Sequence, residues 1–156
     1  MIIRQLGGID TINENYMQPV SQIVDYRQPV SYTDYSGNPQ SGRHRTSAID
    51  LVNYMEDLYR AYEANPSVYQ PLIDDLSNTD FNWGVPQGVS EGTRVAHKIG
   101  FNSAYGTDND VAIVFGVEDY VVCVMTETGN ATQGQNDIAA LVQMIDDYIN
   151  ACYAAS

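Results

Sequence analysis

Lysine is almost absent from this chain: Lys98 is the only one in 156 residues. With six arginines it makes a basic set of seven against 20 acids, a net charge of −13. A surface of that sign repels nucleic-acid phosphates and anionic lipid, so neither is an expected partner. Histidine is also scarce. His44 and His97 stand far apart, with no HxxxH or CxxC spacing, so no metal site is expected. Neither GxGxxG nor a P-loop occurs, and no cofactor is expected. No run approaches the roughly 20 apolar residues of a membrane span. The opening MIIRQLGG has no charged segment followed by a long apolar one, so it does not read as a signal peptide. No serine sits in GxSxG, and none precedes a lysine by three residues, because Val95 holds that position before Lys98. Asp34, Asp74, Asp75 and Asp80 read as solvated carboxylates. The two cysteines, Cys123 in an apolar strand and Cys152 near a helix end, allow either one bridge or two buried free thiols.

What is present suits a single domain over residues 1–156, with 44% apolar residues. Residues 1–92 read mainly as helices and a long loop. MIIRQL forms the last turns of a helix that began earlier, stopped by Gly7-Gly8. Asp10 caps a short helix through Met17. Pro19 to Arg45 is a long polar loop. Thr46 caps an amphipathic helix whose stripe is Ile49, Val52, Met55, Leu58, Tyr59 and Tyr62. Asn65-Pro66 then opens a second helix, and Trp83 lies in a Gly/Pro-rich connector.

From residue 93 the period changes. TRVAHKIGFN, DVAIVFGV and EDYVVCVMTE predict three antiparallel strands over 93–127, joined by SAYGTDN and a tight turn at 116–119. A C-terminal helix over 135–153 carries Ile138, Leu141, Val142, Ile145, Ile149 and Cys152 on one stripe and covers one sheet face. The class is α+β, an antiparallel sheet with helices packed on it. VVCVM is apolar on both faces, as in an interior strand, yet three hairpin-linked strands leave an outer strand open. A second chain or companion segment is therefore expected against residues 120–126.

Lys98 stands within the first strand. Alternation sends Val95, His97, Ile99 and Phe101 one way and Ala96, Lys98 and Gly100 the other. An ammonium buried on such a face is costly unless it meets an anion. A lysine at an exposed rim carries no such cost.

The order HKIG, a turn, NDVAIVFG, DYVVCVMTE and an amphipathic helix resembles the carboxy-terminal part of class A β-lactamases and related penicillin-interacting serine hydrolases. Their third motif is Lys-Thr/Ser-Gly on an edge strand. TSAIDLVNYMEDLY resembles the helix that follows the family's acid-bearing loop. IIRQLGG resembles the segment after its Ser-Asp-Asn motif. The resemblance implies an incomplete fold of that family, without the Ser-x-x-Lys helix and two amino-terminal strands. One of those strands lies beside the third strand here. Ser36-Gly37-Asn38 mimics Ser-x-Asn but stands too close to HKIG and is taken as loop chemistry.

By the same resemblance Lys98 anchors the carboxylate of a β-lactam or peptidoglycan stem peptide and biases proton transfer. Gly100 lets substrate lie along the strand, and the Phe101 backbone N–H is an oxyanion donor. Asp34 falls near the place of the loop's general base. Ile99 departs from the pattern, since the family has a hydroxyl there. The expectation is acyl transfer when the serine-bearing segment is present and inactivity alone, with an extracellular or wall-associated location. A pseudoenzyme that kept the fold as a binding or scaffold domain is the alternative. A third reading is an acidic α+β domain unrelated to the family.

Overall fold

The computed structural model describes residues 2–19, 32–33, 39–40, 46–103 and 106–153. The chain divides into two compact units, Met1–Asn53 and Tyr54–Ser156. In the first, helix α1 (Ile2–Gln5) ends at Gly7 and Gly8, both at positive φ. The Gly8 N–H closes onto the Ile3 carbonyl at 2.8 Å. Helix α2 (Ile9–Ile12) runs on into a π-helical turn, Asn13–Met17. Its cap position is Gly8 rather than Asp10, which lies in the first turn, where a carboxylate favours the helix dipole. Two short strands, β1 (Tyr32–Thr33) and β2 (Pro39–Gln40), pair antiparallel.

Helix α3 (Ala48–Ala64) starts one residue later than Thr46 would require, and Ser47 is the cap. Its Oγ accepts the Asp50 N–H at 3.3 Å and donates to the Asp50 carboxylate at 2.7 Å. Asp50 is buried and Ile49 is 62% exposed, so the first turn reverses the expected stripe; Met55 is buried as the stripe requires.

The second unit is built on one sheet. Strands β3 (Arg94–Asn102), β4 (Thr107–Phe115) and β5 (Tyr120–Glu127) lie in the order β3-β4-β5, all antiparallel. His97 pairs with Ala112, Ile99 with Asp110 and Asp110 with Val124. Paired residues share a face, so Val95, His97 and Ile99 lie with Asp110, Ala112 and Val114 and with Val122 and Val124. Helix α5 (Val85–Gly88) and helix α6 (Ala131–Tyr153) cover that face. The core joins Val85, Val95, Ala112, Val114, Val122, Ile138 and Val142. Ile138 is fully buried, and truncating such a side chain to Ala costs about 2–5 kcal/mol. On the opposite face Ala96 and Ile113 are fully buried, and Phe115 meets the rings of Tyr59 and Tyr62 at 6.3 and 6.1 Å. Helix α4 (Pro66–Ser77) packs along β3. The fold is α+β, as the sequence implied.

Helix α6 differs from expectation in two ways. It begins at Ala131, where the Asn130 side chain accepts the Gln133 N–H at 3.1 Å. Its buried row is Gly134, Ile138, Val142 and Asp146, at a spacing of four. Gly134 is needed there, since a Cβ would stand 2.8 Å from the Asp108 carboxylate and 2.9 Å from Thr126 Oγ1. Asp146 ties three elements together. It accepts from the Ser90 N–H and hydroxyl at 3.0 and 2.7 Å, from Tyr120 at 3.0 Å and from Asn150 at 2.9 Å. Leu141 and Ile145 lie outside with Met144 and Tyr148, the last two each 70% exposed. Cys152 is exposed and Cys123 half-buried, and both are free, so neither a bridge nor a pair of buried thiols describes them. No described helix is long and apolar enough to cross a membrane.

Candidate functional site

Strand β3 has only β4 as a neighbour among the described strands, so its other edge is unpaired among the described residues. Along it the burial alternates: His97 buried, Lys98 exposed, Ile99 buried, Gly100 exposed. The Lys98 ammonium therefore reaches solvent, and the cost of burying it does not arise. Its Nζ donates to the Ile99 carbonyl at 2.5 Å. A Cβ on Gly100 would meet nothing within 4 Å, which leaves open space above the strand beside Lys98. Ile99 turns its side chain into the α5–α6 face, 8% exposed, so only its main chain lies beside the ammonium.

Under this strand lies a pair that the strand pattern alone does not reveal. His97 Nδ1 is 3.0 Å from both oxygens of Asp110, and both side chains are almost wholly buried. Asp110 Oδ2 also accepts the Val85 N–H at 2.9 Å. The one carboxylate thus serves both the imidazole and the Val85 N–H. Residue 84 must be glycine: it sits at φ 80°, and a Cβ would come within 2.7 Å of Asp110 Oδ2. His97 Nε2 is buried with no described partner, as is one oxygen of Asp108, next along the same face. Parity puts residues 97, 99, 110 and 112 on one face, but it does not fix the register that sets His97 near Asp110.

Phe101, next to last in the strand, has its ring 59% exposed. The ring lies 6.3 Å from Phe81 and 6.5 Å from Trp83. At the opposite end of β3, Arg94 donates to Asp74 at 2.6 Å and to Ser77 at 3.1 Å, and its guanidinium stacks 5.2 Å from the Phe115 ring. A cavity of about 350 Å³ opens there, lined by Asp74, Asn78, Asn82 and Arg94 together with Pro86 and Val95. Asp34, and Ser36 and Asn38 with it, lie outside the described residues. The structure places Lys98 and Gly100 on one face of β3, and the Phe101 side chain belongs to the other.

Comparison with known proteins decides the relationship. Residues 1–149 match the Beta-lactamase enzyme family. The chain belongs to this beta-lactamase enzyme family. Its reading as an unrelated acidic domain is thereby set aside. Among solved structures it is similar to PBP-A, with a TM-score of 0.78 and 22% identity over 96% of this chain and 54% of that one. A PBP-A mutant described as an acyl-enzyme complex with penicillin-G gives 0.76 and 23%, over 97% and 55%. A class A beta-lactamase from Mycobacterium abscessus gives 0.72 and 19%, over 96% and 58%. At these identities the likeness is one of fold. The chain spans little more than half the length of these relatives. No match is found among curated proteins.

Proposed function

We infer that this beta-lactamase-family chain is the carboxy-terminal portion of a serine hydrolase that transfers acyl groups from β-lactams or D-Ala-D-Ala peptides. The observation that carries the reading is the open β3 edge. The only lysine of a strongly acidic chain stands exposed there beside a glycine with empty space above it. Lys98 meets the substrate carboxylate, for a fixed cation suits an anion at such an edge. Main-chain groups alternate along a strand with period two, so the N–H of Phe101 takes the same side as the Ile99 carbonyl that Lys98 engages. That side is where an oxyanion donor is required. Asp34 is the proposed general base. The nucleophilic serine comes from a Ser-x-x-Lys segment, since no serine of this chain stands three residues before Lys98. By resemblance the whole protein works outside the cytoplasm, and the chain forms part of one such domain.

The companion pairs with residues 120–126. Strand β5 has no outer neighbour among the described strands, Met125 on it is 40% exposed, and the outer stripe of α6 offers further apolar surface. Slow amide exchange across 120–126 is expected. A monomer in solution scattering with fast exchange there contradicts the pairing.

The burial of Ile99 favours a second reading, a pseudoenzyme that binds wall components without turnover, because no hydroxyl stands beside Lys98 at that position. Nitrocefin hydrolysis and labelling by a fluorescent penicillin test the first reading. The purified chain alone is expected to give neither, and an appreciable signal from it overturns the assignment of the serine to another segment. In the protein complete with that segment, acylation is expected, and its absence there favours the pseudoenzyme.

A further inference from the structure

We propose that the cavity where the end of α4 meets the start of β3 is a second ligand site, one that takes a neutral, hydroxyl-rich group such as a saccharide. Its strand residues are Arg94 and Val95, at the end of β3 away from Lys98. The site does not depend on the reading of that lysine.

The volume, about 350 Å³, is within the range of small-molecule sites. The two charges on the wall balance, with Arg94 bonded to Asp74 at 2.6 Å. What selects the ligand is the set of polar atoms that the protein leaves unused. The Asn78 amide nitrogen donates to the Asp74 carbonyl at 2.8 Å, and that of Asn82 donates to the Thr79 carbonyl at 3.1 Å. Neither side-chain oxygen has a hydrogen bond among the described residues. Asp74 Oδ1 accepts from both Arg94 and Gln70, while Oδ2 accepts from no described group. The Thr93 hydroxyl also has no described partner, and Arg94 keeps N–H groups beyond those given to Asp74 and Ser77. The bonds already made pin both amides, so their free oxygens are oriented before a ligand arrives.

The occupant follows by elimination. An anion would meet the Asp74 carboxylate, two amide oxygens and the C-terminal end of α4, where the helix dipole is negative. A cation would meet the Arg94 guanidinium. Hydroxyl groups both donate and accept, so they satisfy the free oxygens and the guanidinium together. Pro86 and Val95 add an apolar wall, and Val95 is itself part of the buried core cluster. That wall suits the C–H face of a sugar ring, which presents carbon on its faces and hydroxyls around its edge.

The test is a nuclear magnetic resonance titration of the isotope-labelled chain with an N-acetylglucosamine trimer and with maltotriose. Saturable shifts are expected at the side-chain amides of Asn78 and Asn82 and at the Arg94 Nε–H, with Lys98 and Gly100 unmoved. Either sugar supports the site; preference for the trimer assigns it to N-acetylated glycans, and equal affinity to neutral saccharides in general. Glucosamine, a cation, and glucuronate, an anion, are expected to bind more weakly than glucose. Equal or tighter binding of either charged sugar overturns the neutral assignment. Asn82→Ala is expected to weaken binding by up to about tenfold, the worth of one hydrogen bond. Thr93→Val keeps the shape of the wall while removing a hydroxyl, and a weakening is expected there too, with circular dichroism checking that both variants fold. Affinity unchanged by either substitution overturns the site. Shifts centred on Lys98 and Gly100, or no saturable shift with any neutral sugar, also overturn it and leave the reading of Lys98 untouched.

Discussion

The imidazole of His97 meets both oxygens of Asp110 at 3.0 Å, one residue before the exposed Lys98 and inside a face that water does not reach. The pair joins β3 to β4, and through the Val85 N–H it also holds α5. A buried polar group is inexpensive only while its partner is present. Asp110→Ala leaves both the His97 ring nitrogen and the Val85 N–H without their partner. Each orphaned group costs about 1–3 kcal/mol, so urea unfolding is expected to lose about 2–6 kcal/mol. A loss under 1 kcal/mol contradicts the account of this contact.

The two thiols differ in environment and are expected to differ in rate. Burial, with the Asp110 charge adding to it, pushes the Cys123 thiol up to about 11 from its ordinary 9.0. At pH 8 such a shift leaves on the order of 100-fold less thiolate, and thiolate is the reactive form. Cys152 is exposed on α6. Ellman's reagent is expected to modify one thiol quickly and the second slowly, with peptide mapping placing the fast one at Cys152. Equal rates contradict the half-buried position of Cys123.

Alkaline pH is expected to weaken the fold. Burial raises the Tyr120 phenol well above its ordinary 10.0, with its hydrogen bond to Asp146 adding to the shift, and Cys123 is raised in the same direction. Both groups hold their protons more tightly folded than unfolded. Their contribution is complete below the unfolded values near 9 and 10, and it falls as pH rises through the folded ones. The melting temperature is expected to decline from about pH 9 upward. Tyr120→Phe removes one hydrogen bond to Asp146, costs about 0.5–1.5 kcal/mol at neutral pH and flattens the alkaline decline. An unchanged slope contradicts the assignment to Tyr120.

Much of this fold is legible in the chain because the strand signals are local. Alternation put His97 and Ile99 on one face and Lys98 and Gly100 on the other, and their burial follows that division. The turn after β4 and the Gly7-Gly8 stop also depend only on neighbouring residues. Helix α6 was harder, because hydrophobicity alone selects Leu141 and Ile145 for its inner face. The packed row instead contains Gly134, chosen for close approach, and Asp146, buried because four donors satisfy it. The first turn of α3 misleads in the same way, since Asp50 is inside and Ile49 outside. At the candidate site, Lys98 stands out by its rarity. The role of Asp110 stays hidden, because its partners His97 and Val85 lie 13 and 25 residues away.

On the proposed function, Lys98 serves acyl transfer at a serine supplied by another segment. The direct measurement is the acylation rate by a fluorescent penicillin in the protein extended by its Ser-x-x-Lys segment, compared with the same protein carrying Lys98→Ala. Loss of one fixed electrostatic contact at a reacting centre lowers rates by about 100- to 1,000-fold. A loss of that size is expected, with label on the added serine. An equal rate in the Lys98→Ala protein, or label on a residue of the present chain, contradicts it.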